Sequence, residues 1–178
     1  MLTDFLSAER TWVIAKTSED DFPVGALVDF VINPDSGVFE ALWIRTQDGL
    51  RLLPLDDLIQ WTRDKIIIRD ENDLMLPSNF PRIKKILERE VPIRNAKVFC
   101  DNNFIGRVKN FGFDTLSPKI LTLLVHSGFL FWSHERIIPR NKILRIDEKG
   151  IFISGNEIKK TDEKILEKNI ILPEVNRP

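Results

Sequence analysis

Cys100, His126 and His134 are the only cysteine and the only histidines in the chain, and with the pair Asp56-Asp57 they are the residues whose types could do chemistry. Cys100 stands beside Asp101 with no histidine near it in sequence, so its thiolate lacks the usual activator and a plain packed or surface thiol is expected. Two histidines and a thiol could ligate a metal. Hairpin register carried over from an internal repeat, however, sets His126 opposite Ile137 rather than opposite His134, which separates the ligands. Asp56-Asp57 follows Pro54-Leu55, a setting in which Asp opens a turn, and at the matching place in the repeat the chain has Asn141-Lys142, which cannot do acid/base work. The eight glycines form no G-x-G or GK[ST] series, so no phosphate loop is expected. These readings assign no catalytic, cofactor-binding or metal-ligating residue, and the expectation is a protein that is not an enzyme and carries no cofactor.

Two stretches suit binding instead. In SGFLFWSHER the centre Phe129, Leu130, Phe131 and Trp132 is large and apolar where a hairpin tip is ordinarily polar. Either the rest of the chain covers it or it is a docking patch for a protein partner, a second copy or a membrane surface. A basic string follows, Arg136, Arg140, Lys142 and Arg145, with Arg107 and Lys109 on another predicted strand. Such a surface suits the phosphates of RNA or an anionic membrane, or serves as a charged strand edge that discourages sheet-to-sheet aggregation. Stacking aromatics are not interleaved with these charges, as a single-strand-binding face would require.

The elements that must position these residues occur twice. VGALVDFVINPDSGVFEALWI, from Val24 to Ile44, lies without a gap over IGRVKNFGFDTLSPKILTLLV, from Ile105 to Val125, with Gly25/Gly106, Phe30/Phe111, Ser36/Ser117 and Leu42/Leu123 identical. Leu53 to Ile68 then lies over Ile138 to Ile153 at an offset four residues larger, which places four extra residues in the second copy's hairpin between His126 and Ile138. Upstream, Ala15-Lys16 matches Ala96-Lys97. Each copy reads as about six strands: β-branched and aromatic runs broken by turn formers at Asn33 to Gly37 and at Gln47-Asp48-Gly49. Both faces of Val38 to Arg45 are apolar, so one face is expected on the core and the other against a neighbouring element. Alternation slips near Asp29-Phe30, which predicts a bulge. Between the copies, two prolines precede RIKKILERE, a short amphipathic helix with Ile83, Ile86 and Leu87 on one face, expected to set the spacing of the copies. After the second copy, Thr161 is expected to cap a helix through Asp162, Glu163, Ile165 and Leu166.

Length and composition agree with a folded β-protein of ordinary size. Of the 178 residues, 43% are hydrophobic and 30% charged, and the net charge is −1. That balance conceals an asymmetry. Residues 1–76 hold 7 basic and 15 acidic residues, a balance of −8, and residues 77–178 hold 19 and 12, a balance of +7. Opposite halves attract each other, a second copy or an anionic partner. No apolar run approaches the roughly 18 residues of a membrane helix. MLTDFLSAER places Asp4 and Glu9 where a signal peptide is basic and then apolar, and the lone cysteine fits a reducing compartment, so the expected location is the cytoplasm.

This pattern resembles the PRC-barrel, the small β-barrel of the photosynthetic reaction centre H subunit and of the ribosome maturation factor RimM. The first copy matches with Gly25, Leu27, Asp29, the Asn33 to Gly37 turn and Leu53-Pro54. The second matches with Gly106, Val108, Asn110, Asp114 and Ile138-Pro139, and departs with Asn110 in place of the Asp and Pro118 in place of the turn Gly. The resemblance implies an all-β fold with short helices: two tandem barrels over residues 1–73 and 92–156, a linker with a helix over 74–91, and a C-terminal helix and tail over 157–178. It implies an adaptor or assembly role, binding a protein partner through barrel surfaces. The competing expectation is an RNA- or ribosome-associated factor that uses the basic second copy.

Overall fold

The computed structural model describes residues 1–16, 21–128 and 134–155. The predicted tip Phe129 to Trp132 and the predicted C-terminal helix lie outside the described residues.

The chain is mostly β with short helices, arranged as two sheets. The first sheet takes β2 (Trp12–Lys16), β3 (Asp21–Ile32), β4 (Phe39–Thr46), β5 (Gly49–Pro54), β6 (Leu58–Trp61) and β7 (Lys65–Ile68), in the order β5-β4-β3-β2-β7-β6. The second takes β8 (Lys97–Cys100), β9 (Asn103–Asp114), β10 (Ile120–Ser127), β11 (His134–Pro139), β12 (Ile143–Asp147) and β13 (Gly150–Ile153), in the order β11-β10-β9-β8-β13-β12. Strand for strand, the second order repeats the first. Both sheets contain one parallel pair, β2 with β7 and β8 with β13, among antiparallel neighbours. Neither closes into the barrel that the resemblance implies, because β5 does not pair with β6, nor β11 with β12. Apolar side chains of the two sheets pack together instead.

The predicted bulge is present in both halves, one residue earlier than the alternation suggests. Pairing slips between Leu27 and Asp29 opposite β4, and at the equivalent place between Val108 and Asn110 opposite β10. In each bulge the side-chain oxygen of the following residue accepts the next backbone N–H: Asp29 Oδ1 from Phe30 at 2.8 Å, and Asn110 Oδ1 from Phe111 at 2.9 Å. Gly25 and Gly106 also have a common cause. A Cβ at Gly25 would lie 2.6 Å from the Arg45 carbonyl oxygen, and one at Gly106 would strike the His126 carbonyl, so both strands cross their neighbour at a distance only glycine allows.

The matched positions at the start of each copy need correction. Val13 of β2 pairs with Gly25 and Val98 of β8 pairs with Gly106, so Trp12 is equivalent to Lys97, and Ala15-Lys16 is not equivalent to Ala96-Lys97. The four-residue excess therefore appears twice, once in the first half's β2–β3 hairpin and once in the second half's β10–β11 hairpin.

Most buried apolar side chains of both sheets form one continuous cluster shared between them. Its centre is aromatic. Phe30 and Phe111, which are equivalent residues, meet edge to face with centroids 5.6 Å apart, and Phe39, Phe113, Phe5 and Trp61 surround them at 4.7 to 6.2 Å. Two more pairs of equivalent residues touch. Val38 bridges Lys119, with Phe39 N–H donating to the Pro118 carbonyl at 2.8 Å and Ile120 N–H donating to that of Gly37 at 3.1 Å, while Glu9 pairs with Arg94 at 3.7 Å. A contact in which residue i meets its own counterpart is the mark of two-fold packing. The halves thus pack as a dimer written in one chain.

Two segments break that symmetry. β1 (Leu2–Asp4) joins the second sheet, not the first, pairing antiparallel with β9 through Leu2/Asp114, Thr3/Phe113 and Asp4/Gly112. A one-turn helix, α1 (Phe5–Ala8), follows, its first N–H groups capped by Asp4. The linker helix α2 (Pro81–Leu87), opened by proline at its first position, lies on the outer face of the first sheet, where Ile83 buries against Val31, Ala41 and Leu52 with Trp43, Phe80, Ile86 and Leu87 around them. This accounts for the two apolar faces of β4: Leu42 and Ile44 face the main core, and Ala41 faces α2. The helix covers a sheet and does not space two bodies. Arg82 to Glu40 at 2.9 Å and the bidentate pair of Arg89 with Asp35 at 2.7 and 3.1 Å tie it down.

Candidate functional site

Among the described residues strand β9 has three partners, β8, β10 and β1, whereas its equivalent β3 has β2 and β4. Ile32 pairs with Phe39 of β4 on one side, and on the other, where β1 lies beside Phe113, no described strand lies beside it. The end of α2 and residues 90–95 lean across this place without filling it, leaving a groove of about 520 Å³ along Asp29 to Ile32, with walls from Trp43, Leu87, Glu90 and Ile93.

The floor of the groove is set by the bulge. It turns Asp29 out of the strand's alternation and half-buries its carboxylate, which accepts the Phe30 N–H and makes no ion pair among the described residues. Burial pushes the Asp29 pKa above the ordinary aspartate value, and the nearby Glu9 adds to the rise; the Phe30 hydrogen bond and the Arg94 charge oppose it without cancelling it. Arg94 is itself engaged, paired with Glu9 and lying 4.9 Å over the Phe5 ring. The equivalent place in the second half is satisfied. Asn110 donates from Nδ2 to Asp4 Oδ1 at 2.7 Å and accepts the Leu6 N–H at 3.3 Å. Burial also pushes up Asp4, but hydrogen bonds from Asn110, from the Ser7 hydroxyl and from the Ser7 and Leu6 N–H groups outweigh it and hold the carboxyl below its usual range.

A second feature lies on the outer faces of the sheets. Trp12 on β2 is 59% exposed, Ile59 on β6 is 54% exposed, and Ile14 on β2 is half-buried. On the second sheet, Leu144, the counterpart of Ile59, is 68% exposed and Phe104 is 57% exposed. Phe104 packs against Phe99, which stacks on Phe152 at 5.1 Å, and the Arg145 guanidinium lies 3.9 Å over the Phe152 ring.

The residues singled out by sequence do not converge. Phe129, Leu130, Phe131 and Trp132 are outside the described residues. Lys109 pairs with Glu135 at 2.6 Å, Arg145 with Asp147 at 3.4 Å, Arg107 donates to the Asn95 carbonyl at 2.9 Å and Arg140 to that of Ser36 at 3.0 Å. Arg140 thereby serves the contact between halves. Arg136 lies on β11 opposite Val125, and Lys142 ends the turn Arg140–Lys142. The histidine register differs from the expectation: His126 faces Glu135, His134 faces Ser127, and Ile137 faces Leu124. The pairing repeats that of the first half, where Arg45 faces Leu50, so the four extra residues leave the register of the two strands unchanged. No group of three metal-ligating side chains occurs among the described residues. Cys100 is half-buried, its pKa pushed up by burial and by Asp101. Asp56 and Asp57 form the turn Leu55–Asp57, the counterpart of Arg140–Lys142, with Asp57 3.7 Å from Arg69. No helix among the described residues is long and apolar enough to cross a membrane.

Comparison with protein-family models and with curated proteins finds no match to this chain.

Sequence reasoning noted Asp29 at the predicted bulge and as a position in a family pattern, and did not see the groove. The groove is defined by a strand that one half has and the other lacks, and the first half's own residues carry no signal of that difference.

Proposed function

We propose that the protein is a non-enzymatic adaptor that binds a protein partner through the outer faces of its two sheets. The observation that carries this reading is the set of large apolar side chains exposed on each sheet, Trp12 and Ile59 in one half and Phe104 and Leu144 in the other, with Ile59 and Leu144 at equivalent positions. Large apolar side chains left exposed outside a well-filled core mark interaction sites, and aromatic anchors dominate the energetics of such sites. Duplication gives the molecule two such faces held by one rigid core, an arrangement suited to joining two surfaces of an assembly. The resemblance to PRC-barrels points the same way. Most of the basic residues that an RNA-binding reading would use are engaged within the chain, which favours a protein partner over a phosphate backbone.

The test is capture of partners from the native host by the full-length chain and by the variants Trp12→Ser and Phe104→Ser, washed at low and high salt and probed for protein and RNA together. Protein retained at high salt and lost with either variant supports the adaptor. Retention of RNA that falls steeply with salt and ignores both variants overturns it.

A further inference from the structure

We propose that the groove along β3 receives an extended, basic segment of a partner protein, which pairs with the Ile32 backbone as an added strand in the way that β1 pairs with Phe113. This rests on the adaptor reading and names one kind of partner segment and where it sits.

The second half supplies the template. Phe113 and Ile32 are equivalent, and β1 runs antiparallel beside Phe113, with the Thr115 N–H donating to the Met1 carbonyl at 3.0 Å. In the first half the Asn33 N–H donates to Val38 across the hairpin, so strand alternation turns the N–H and C=O of Ile32 the other way, toward the groove. On that side β2 pairs with β3 only as far as Ala26, and no described strand takes up Ile32 there. A backbone amide in so apolar a setting calls for a partner, and strand addition is the mode by which peptides commonly supply one.

The chemistry of the incoming segment follows from the exchange of Asn110 for Asp29. Asn110 donates to the acid of its strand, Asp4. Asp29 is acceptor-only when ionised, so an acid at that place in the added strand would be repelled and a lysine, arginine or hydroxyl would be held. Glu90 adds a second acid on the wall and makes no ion pair among the described residues. The half that carries the groove is also the acidic one, at −8 over residues 1–76. Burial that raises the Asp29 pKa is what a cation in the groove would offset. Trp43 and Leu87 supply apolar contacts for the neighbouring side chains of the segment.

The probe is a fluorescent, N-acetylated and C-amidated peptide, MLTKFL, which is the sequence of β1 and its continuation with lysine in place of the acid; MLTDFL is the control. Anisotropy titration of the full-length chain is expected to give saturable binding of the lysine peptide below about 1 mM and binding of the control at least about tenfold weaker. Bound probe slows amide hydrogen exchange at Ile32. Asp29→Asn, which restores the residue that the second half tolerates at this place, is expected to remove the preference between the two peptides. Ile32→Pro is expected to abolish binding, and the Asp29→Asn result decides the matter should Ile32→Pro fail to fold. Absence of saturable binding, or binding that neither substitution alters, overturns the inference. Binding lost in Trp12→Ser but not in Asp29→Asn overturns it while leaving the outer-face adaptor standing. A concentration-dependent dimer dispersed by Ile32→Pro overturns it in favour of a second copy.

Discussion

The β9 edge and the β3 edge are the same stretch of the repeat in two conditions. Beside β9 the strand β1 takes up the backbone of Phe113, Asn110 is hydrogen-bonded on both its donor and its acceptor side, and the facing carboxylate of Asp4 is held below its usual pKa. At the matching place beside Ile32 of β3 no described strand takes the part of β1, Asp29 accepts a single neighbouring N–H, and its pKa is pushed up. The contrast shows that a duplicated fold need not duplicate its edges. What a small sheet exposes is decided by the segments that precede each copy, one of which became a strand while the other became a helix on the outer face.

The largest effect expected on this comparison comes from its shared floor. Phe113 is fully buried among Phe30, Phe39, Phe111 and Trp61, so Phe113→Ala should cost about 3–5 kcal/mol in urea unfolding, and Ile32→Ala at the open edge about 2–4 kcal/mol, with Phe113 the costlier. Equal losses would break the contrast. Thr3→Pro should come next, since it removes the donor that β1 turns toward Phe113 and leaves buried backbone unpaired, for about 1–3 kcal/mol. Amide exchange at Phe113 should then rise to the rate at Ile32, and persistence of the difference would show that β1 is not its cause.

The two aspartates sharpen the comparison through pH. Asp4 has a lowered folded pKa, so the stability it contributes is present above its unfolded pKa and is lost as pH falls through the folded one. As the cap of α1, Asp4→Ala should cost about 1 kcal/mol at neutral pH and progressively less in acid. Asp29 has the opposite sign. With a raised folded pKa, its favourable contribution is complete below the unfolded pKa and is lost as pH rises through the folded value. Asp29→Asn should therefore raise the melting temperature at neutral pH and leave it unchanged below the ordinary aspartate pKa; a drop at neutral pH would mean that the carboxylate is stabilised by its surroundings. The smallest effect is expected from Arg89→Ala, which loosens the linker at the turn. Asp35 is mostly exposed, and calorimetry should find a smaller change in melting temperature than for any substitution above.

Much of this architecture was legible in the sequence because the repeat preserves what the backbone requires. Gly25 and Gly106 stay glycine where two strands cross closely, the bulge leaves its trace in the slipped alternation near Asp29, and the doubled apolar face of β4 foretells something lying over it. Other features leave no local trace. Ala15-Lys16 and Ala96-Lys97 coincide in composition but not in register, because two hairpins exchange their four-residue excess. Closure into barrels does not follow from strand count, since the aromatic side chains that would fill two small interiors are shared at one centre. The three residues Leu-Thr-Asp of β1 have no periodicity to read, and only the distant β9 makes them a strand. The groove inherits that invisibility.

That distant pairing also imposes an order of events on a ribosome. Leu2 to Asp4 leave the exit tunnel early, while Asp114, which binds the Met1 amino group at 2.8 Å, lies 113 residues further along. Throughout that interval the first half can complete its own six strands, yet Phe5 has no Phe111 to rest on and Phe30 and Phe39 stay uncovered. The nascent chain must therefore carry an unfinished aromatic surface until the second half arrives, which makes the time of translation between the two copies the period in which holdase chaperones have most to protect.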